Sequence, residues 1–222
     1  MNDLVIIGAG GLAREVAFLV DEINRANNKP LWNLLGFVAK NRSDPSEGTG
    51  RYPVAFGEEE LINLGKPIHV VIGIGAPEII RAVAAKLDSC TDMQFPNLIH
   101  PNVVMDHERI PLGKGNIICA GNVLTTDIVV GSFNYFNNNC STGHDTVVGD
   151  YCVFNPGVNI SGGVTFGDGC LVGTGADVLQ NLRVGGNSTI GAGAVVVRDV
   201  APGTVVAGVP ARELPRKDAP AR

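Results

Sequence analysis

Residues 140–157 read CSTGHDTVVGDYCVFNPG, and the spacing inside this stretch decides the fold. Small or aliphatic residues recur every six places, at Cys140, Thr146 and Cys152. A second series follows two places later, at Thr142, Val148 and Phe154. Outward from here, the first series runs Val104, Ile110, Asn116, Asn122, Ile128 and Asn134 on one side. On the other side it runs Val158, Val164, Cys170, Ala176, Leu182, Ser188 and Ala194. The second series extends from Leu112 and Ile118 to Ile190 and Val196, with Gly often next, as at 131, 143, 149, 167, 173, 185 and 191. Sixteen hexads in succession are the signature of a parallel β-helix.

Each hexad supplies one short strand and one corner, with both periodic positions pointing inward. Three hexads close a triangular coil, so residues 18 apart stack at about 4.8 Å. The run amounts to between five and six coils, a prism roughly 25 Å tall. The repeat does not by itself fix the hand of the coil. Neighbouring coils satisfy each other's backbone, whereas the outer faces need covering. That predicts an oligomer, most simply a trimer of prisms side by side.

Residues 1–95 follow a different pattern. DLVIIG (3–8) is a short apolar run ending in the glycine cluster GAGG, and a helical stripe of Leu12, Val16, Leu19, Val20 and Ile23 follows it. LLGFVA (34–39) and HVVIGIG (69–75) read as further strands, and PEIIRAVAAKL after the third reads as a helix started by Pro77. Strand–helix alternation predicts a small α/β domain with a parallel sheet over 1–95, followed by the β-helix over 96–222. The stretch 40–53 reads as a polar loop.

Composition narrows the function. A formal net charge of -5 offers no footprint for nucleic acid or an anionic membrane. No apolar run reaches the length of a membrane span, and MNDLVIIGAGG has neither the charged start nor the cleavage pattern of a secretory leader. Five cysteines without a CxxC pair read as reduced thiols, which predicts a cytoplasmic protein. The four histidines show no metal-ligand spacing, so no metal is expected. Cys140, Cys152 and Cys170 occupy the inward series and read as core fillers, not nucleophiles.

One corner carries chemistry. His144 and Asp145 follow Gly143, and no other corner of the repeat has a His–acid pair after glycine. An exposed histidine beside an acid is ordinarily a solvated turn. Here its isolation in the repeat, and the amides of NNNC (137–140) before it, favour a general base. A neutral imidazole takes a proton from an amine or hydroxyl, and a neighbouring carboxylate stabilises the imidazolium that forms. GAGGLA (8–13), placed after a strand and opening a helix, fits a turn that presents backbone N–H groups to phosphates. The second strand ends in Ala39-Lys40 and not in an acid, which disfavours NAD and leaves a nucleoside diphosphate, with Lys40 able to offer charge.

The GAGG-L-AREV unit, IGIGAPEIIR, the His-Asp corner and the terminal IGAGAVVVRDVAPGTVVAGVPAR together resemble the NeuD/PglD-type sugar acetyltransferases. That resemblance implies a Rossmann-like N-terminal domain on a left-handed β-helix, and a homotrimer with active sites between protomers. It also implies acetyl-CoA as cosubstrate and a sugar or nucleotide-sugar acceptor in bacterial polysaccharide biosynthesis. His144 matches the family's base and Asp145 its neighbouring acid. Thr174 and Ala192 match acetyl-CoA contacts. Val153 stands where some members have a histidine that holds the thioester carbonyl, which shifts that role to a backbone N–H such as that of Gly162. Gly10, Gly11, Leu12 and Gly75 match the nucleotide-sugar site, and Asn137 matches a substrate-facing amide. Where this chain has Ala39-Lys40, many members carry an Asp-Asp pair that reads the nucleotide base. Two alternatives stay open: O-acetylation of a sugar or small molecule, and a non-catalytic β-helix that binds a nucleotide-sugar as a scaffold.

Overall fold

The computed structural model describes residues 1–40 and 51–215. Most of the expected 40–53 loop therefore lies outside the described residues. The N-terminal domain runs β1 (Asn2–Ile7), α1 (Gly11–Ala26), β2 (Trp32–Ala39), β3 (Val54–Gly57), α2 (Glu58–Ile62), β4 (Ile68–Ile72), α3 (Pro77–Leu87) and β5 (Met93–Gln94). The strands form one parallel sheet in the order β3-β2-β1-β4-β5. The stripe read from the sequence faces the sheet: Val16, Leu19, Val20 and Ile23 are buried, with Ala13 and Ala17 beside them. Helix α3 begins at Pro77, whose missing N–H costs nothing in the first turn.

From Leu98 the chain winds as the expected left-handed parallel β-helix. Two-residue strands stack at 18-residue intervals, for example Ser141 on Asn159 and Thr142 on Ile160. Within the prism both periodic series are buried apart from the half-buried Leu112 and Leu182, and the axis carries an aromatic ladder. Phe136 stacks on Phe154 with ring centres 4.7 Å apart, and Phe166 meets Phe154 edge-on at 5.1 Å. Every corner turns through a left-handed residue: φ between 55° and 73° recurs every six positions from Gly115 to Gly193. Glycine is free in that region; seven corners nonetheless use Asp, Asn, Phe or Tyr.

The register departs from the sequence reading at its start. Val104 was expected inside, yet it is 63% exposed. It pairs with Val123, 19 residues on, whereas Leu112 already pairs with Val130, 18 on. The turn between them holds one extra residue, so Val103 and Met105 face the core in its place. A one-residue slip reverses every side chain of a strand.

The three faces of the prism differ in what covers them. The face of strands Ile117–Ile118, Tyr135–Phe136, Val153–Phe154 and Leu171–Val172 carries large outward side chains. Ile117, Tyr135 and Val153 are buried there in one core with β1, α1 and β4, and Leu171 packs against it. This face is covered from within the chain, by the N-terminal domain. The other two faces meet at the corner that carries His144.

Candidate active site

The His144 corner lies between the strands Ser141–Thr142 and Val147–Val148. A triangular prism places that corner opposite the face covered by the N-terminal domain. Asp145 takes the left-handed slot, with φ 60°, which turns its carboxylate back toward its neighbour. His144 Nδ1 lies 2.7 Å from Asp145 Oδ2. Both side chains are about two-thirds exposed in the single chain, at 67% and 69%. With Nδ1 engaged, Nε2 remains open to an incoming acceptor.

One coil further on, the imidazole lies against Gly162. A Cβ added there would come within 2.8 Å of both Cε1 and Nε2. The Gly162 N–H donates to no described group, and neither does that of Ala192. One coil back, Thr126 Oγ1 donates to Asp106 Oδ2 at 2.9 Å, and Arg109 Nε donates to Asp127 Oδ1 at 2.7 Å. Thr126 and Asp127 stand 18 places before His144 and Asp145, and that stacking interval is the signal in the sequence that could have found this layer.

The other expected residues fall in separate places. Thr174 and Ala192 stack on the next corner along, where Gly193 N–H donates to Thr174 O at 2.9 Å, and both are exposed. Asn137 lies below them, nearly buried, its Oδ1 accepting from the Asn138 N–H at 2.7 Å. Val153 is only 1% exposed because the N-terminal domain covers it. Its side chain presents no surface to a ligand, so packing explains it.

Gly10 caps α1 and Gly11 opens it, with no acid in the first turn. Leu12 reaches across toward Gly75, where an added Cβ would meet Leu12 Cδ2 at 3.2 Å. Closer in, Gly73 lets Ala13 approach the strand end: a Cβ there would meet Ala13 Cα at 2.9 Å. These turns flank the carboxyl ends of β1 and β4, where the sheet order reverses direction. Open parallel sheets bind ligands at such switch points. Ala39 is buried and Lys40 exposed at the end of the adjacent β2. A cavity of about 440 Å³, lined by Asp21, Asn24, Trp32 and Tyr52 among others, touches none of these residues. Among the described residues no group of His, Cys, Asp or Glu is arranged to hold a metal ion. No described helix is long and apolar enough to cross a membrane.

Residues 3–87 match the family model of the PglD N-terminal domain. No curated protein sequence matches the chain. Among solved structures, a mutant of perosamine N-acetyltransferase from Caulobacter crescentus, in complex with CoA and GDP-perosamine, is similar over 97% of this chain and 98% of its own. It has a TM-score of 0.85 and 25% sequence identity. The acetyltransferase domain of PglB from Neisseria gonorrhoeae, solved also with acetyl coenzyme A, covers 96% of this chain and 100% of its own, with a TM-score of 0.86 and 28% identity. WeeI from Acinetobacter baumannii shares 27% identity at a TM-score of 0.82, over 96% of this chain and 100% of its own. The similarity spans both domains and their junction, so the resemblance read from the sequence is met along the chain.

Proposed function

We propose that this chain, which joins a PglD N-terminal domain to a left-handed β-helix, is an acetyl-CoA-dependent N-acetyltransferase acting on an amino group of a nucleotide-linked sugar. The observation that carries the reading is the His144–Asp145 pair, bonded through Nδ1 at 2.7 Å with Nε2 open, on an edge that no described residue covers.

In the proposed reaction the amine nitrogen attacks the thioester carbonyl carbon in a ternary complex. A C–N bond forms and the carbonyl oxygen takes up negative charge, which the free N–H of Gly162 stabilises. His144 Nε2 removes the proton from the nitrogen, and Asp145 stabilises the imidazolium. Collapse breaks the C–S bond, and the imidazolium returns its proton to the leaving thiolate. No acyl-enzyme is required.

The switch-point turns at Gly8–Leu12 and Gly73–Gly75 suit the nucleotide end of the acceptor, with Lys40 beside them. They belong to the domain on the face opposite His144, so one chain does not bring base and acceptor together. A homotrimer resolves this by setting the His144 edge of one protomer against the neighbour's N-terminal domain. The Thr174–Ala192 corner then contributes to the acetyl-CoA groove. Val123, Val129 and Val147, each between 38% and 46% exposed, flank the His144 edge on both open faces and supply apolar surface for that contact. A cytoplasmic place in glycan assembly follows from the same reading.

His144→Ala is expected to lower kcat at least 100-fold while acetyl-CoA binding, measured by calorimetry, survives. Near-native turnover in that variant would overturn the proposal. If neither variant nor wild type binds acetyl-CoA, the scaffold reading replaces it.

A further inference from the structure

We infer that Gly162 is a positioning residue for the base: its missing side chain is the shelf on which the His144 imidazole rests, apart from anything its N–H does. This rests on the reading of His144 as general base.

The argument is steric. The three heavy atoms nearest to a Cβ built on Gly162 all belong to one ring, His144 Cε1 and Nε2 at 2.8 Å and Cδ2 at 3.2 Å. No backbone atom lies as close. Most glycines of the repeat are constrained otherwise. At Gly143 a Cβ would strike the Gly162 nitrogen at 2.5 Å, and at Gly173 the Ala192 nitrogen at 2.4 Å, so those positions serve coil-to-coil approach. Gly163, the next residue, holds the left-handed corner with φ 72°, whereas Gly162 has no positive φ. Gly162 is thus neither a conformational nor a backbone-packing requirement. The atoms that a side chain there would meet first are those of the imidazole.

Ordinary non-bonded contact between carbon atoms begins at about 3.5 Å. A methyl at 162 would therefore move the ring by somewhat under about 1 Å, or swing it to another rotamer. Either movement breaks the Nδ1–Asp145 alignment, and a catalytic group misplaced by about 1 Å can lose about 100-fold in rate. The cost falls on the ring because the imidazole is exposed and its side-chain torsions are soft, while the backbone beneath is fixed by hydrogen bonds. Gly163 N–H donates to His144 O at 2.8 Å, and Asn181 N–H to Gly162 O at 3.0 Å.

The experiment is a double-mutant cycle of Gly162→Ala and His144→Ala in the full-length protein, assayed with acetyl-CoA and an amino-sugar nucleotide that wild type turns over. Gly162→Ala is expected to lower kcat by about 10- to 100-fold. The KM for acetyl-CoA should stay within about threefold, because no binding group is removed. The melting temperature should hold or rise, since alanine at a compatible backbone position restricts the unfolded chain. In the His144→Ala background the same substitution is expected to change nothing further, and added imidazole should rescue both His144→Ala proteins alike. A full loss from Gly162→Ala in the His144→Ala background would overturn the inference and assign the residue to the oxyanion. Native kcat in Gly162→Ala beside a dead His144→Ala would overturn it too, leaving the base intact. Native kcat in His144→Ala would instead sink the catalytic reading itself.

Discussion

The corners at Asp145 and Tyr151 sit one hexad apart and share a backbone, with φ 60° and 61°. Their surroundings have nothing in common. Tyr151 stacks on Phe133, one coil back, at 5.7 Å, and Phe133 meets Phe95 edge-on at 5.2 Å. Arg81 from α3 lies 5.3 Å over the Tyr151 ring, and Lys114 pairs with Asp88 at the foot of the same edge. That corner holds the two domains together. Asp145 faces outward, bonded to His144. The repeat therefore dictates only what points inside. The left-handed slot accepts an aromatic or an acid at comparable strain, and whatever approaches from outside decides whether the corner becomes joint or chemistry.

The largest expected effect breaks the joint. Phe133 is 5% exposed, and Phe133→Ala should cost about 3–5 kcal/mol by chemical denaturation. Its left-handed φ of 58° makes a finer test, since Phe133→Gly should cost less than Phe133→Ala, the reverse of the usual order. The matching substitution at the other corner, Asp145→Ala, should shift stability by no more than about 0.5 kcal/mol and still lower turnover about tenfold or more. If both variants lost stability equally, the division between joint and chemistry would fail.

The prism was legible because its inward positions repeat through sixteen hexads, and only at Val104 does an extra residue in the turn spoil the count. Strands β1, β2 and β4 and helices α1 and α3 were legible from apolar runs and stripes. The short β3, α2 and β5 carry no period long enough to read, since two to five residues hold no repeat. The covered face did leave a signal that went unread: Ile117, Tyr135, Val153 and Leu171 recur outward at 18-residue spacing, whereas Ser141, Asn159 and Asp177 fill the equivalent places on an open face. Stacking likewise pairs position 144 with 162. The contact between ring and glycine, however, needs side-chain geometry that a period does not contain.

Burial gives the two regions a shared pH dependence. Cys119 lies in the core shared with the N-terminal domain, and Cys140 lies inside the prism beside Asn137 and Asn155. Burial pushes each thiol up to about 11 from an ordinary value near 9.0. Unfolded, both would ionise from about pH 9, so the stability they contribute is full below that and is lost as pH rises toward 11. Thermal unfolding should register a loss on the order of 2 kcal/mol per thiol across this window. Cys140→Ala and Cys119→Ala should each flatten the decline. A decline unchanged in both variants would show that other groups drive it.

A substitution expected to leave turnover unchanged sharpens the contrast at one strand, where Thr142 points inward two residues before His144 points out. Thr142 is 2% exposed, stacked between Leu124 and Ile160, and its Oγ1 has no hydrogen-bond partner among the described residues. Valine has the same branched shape and suits the same strand, so Thr142→Val exchanges an unpaired buried hydroxyl for a methyl in aliphatic surroundings. Stability should rise by about 1 kcal/mol, with kcat unchanged. The inside of the corner would then be purely a matter of packing. A fall in kcat at unchanged or raised stability would instead tie the hydroxyl to the imidazole through the strand, and the boundary between inside and outside would run through the catalytic corner and not along it.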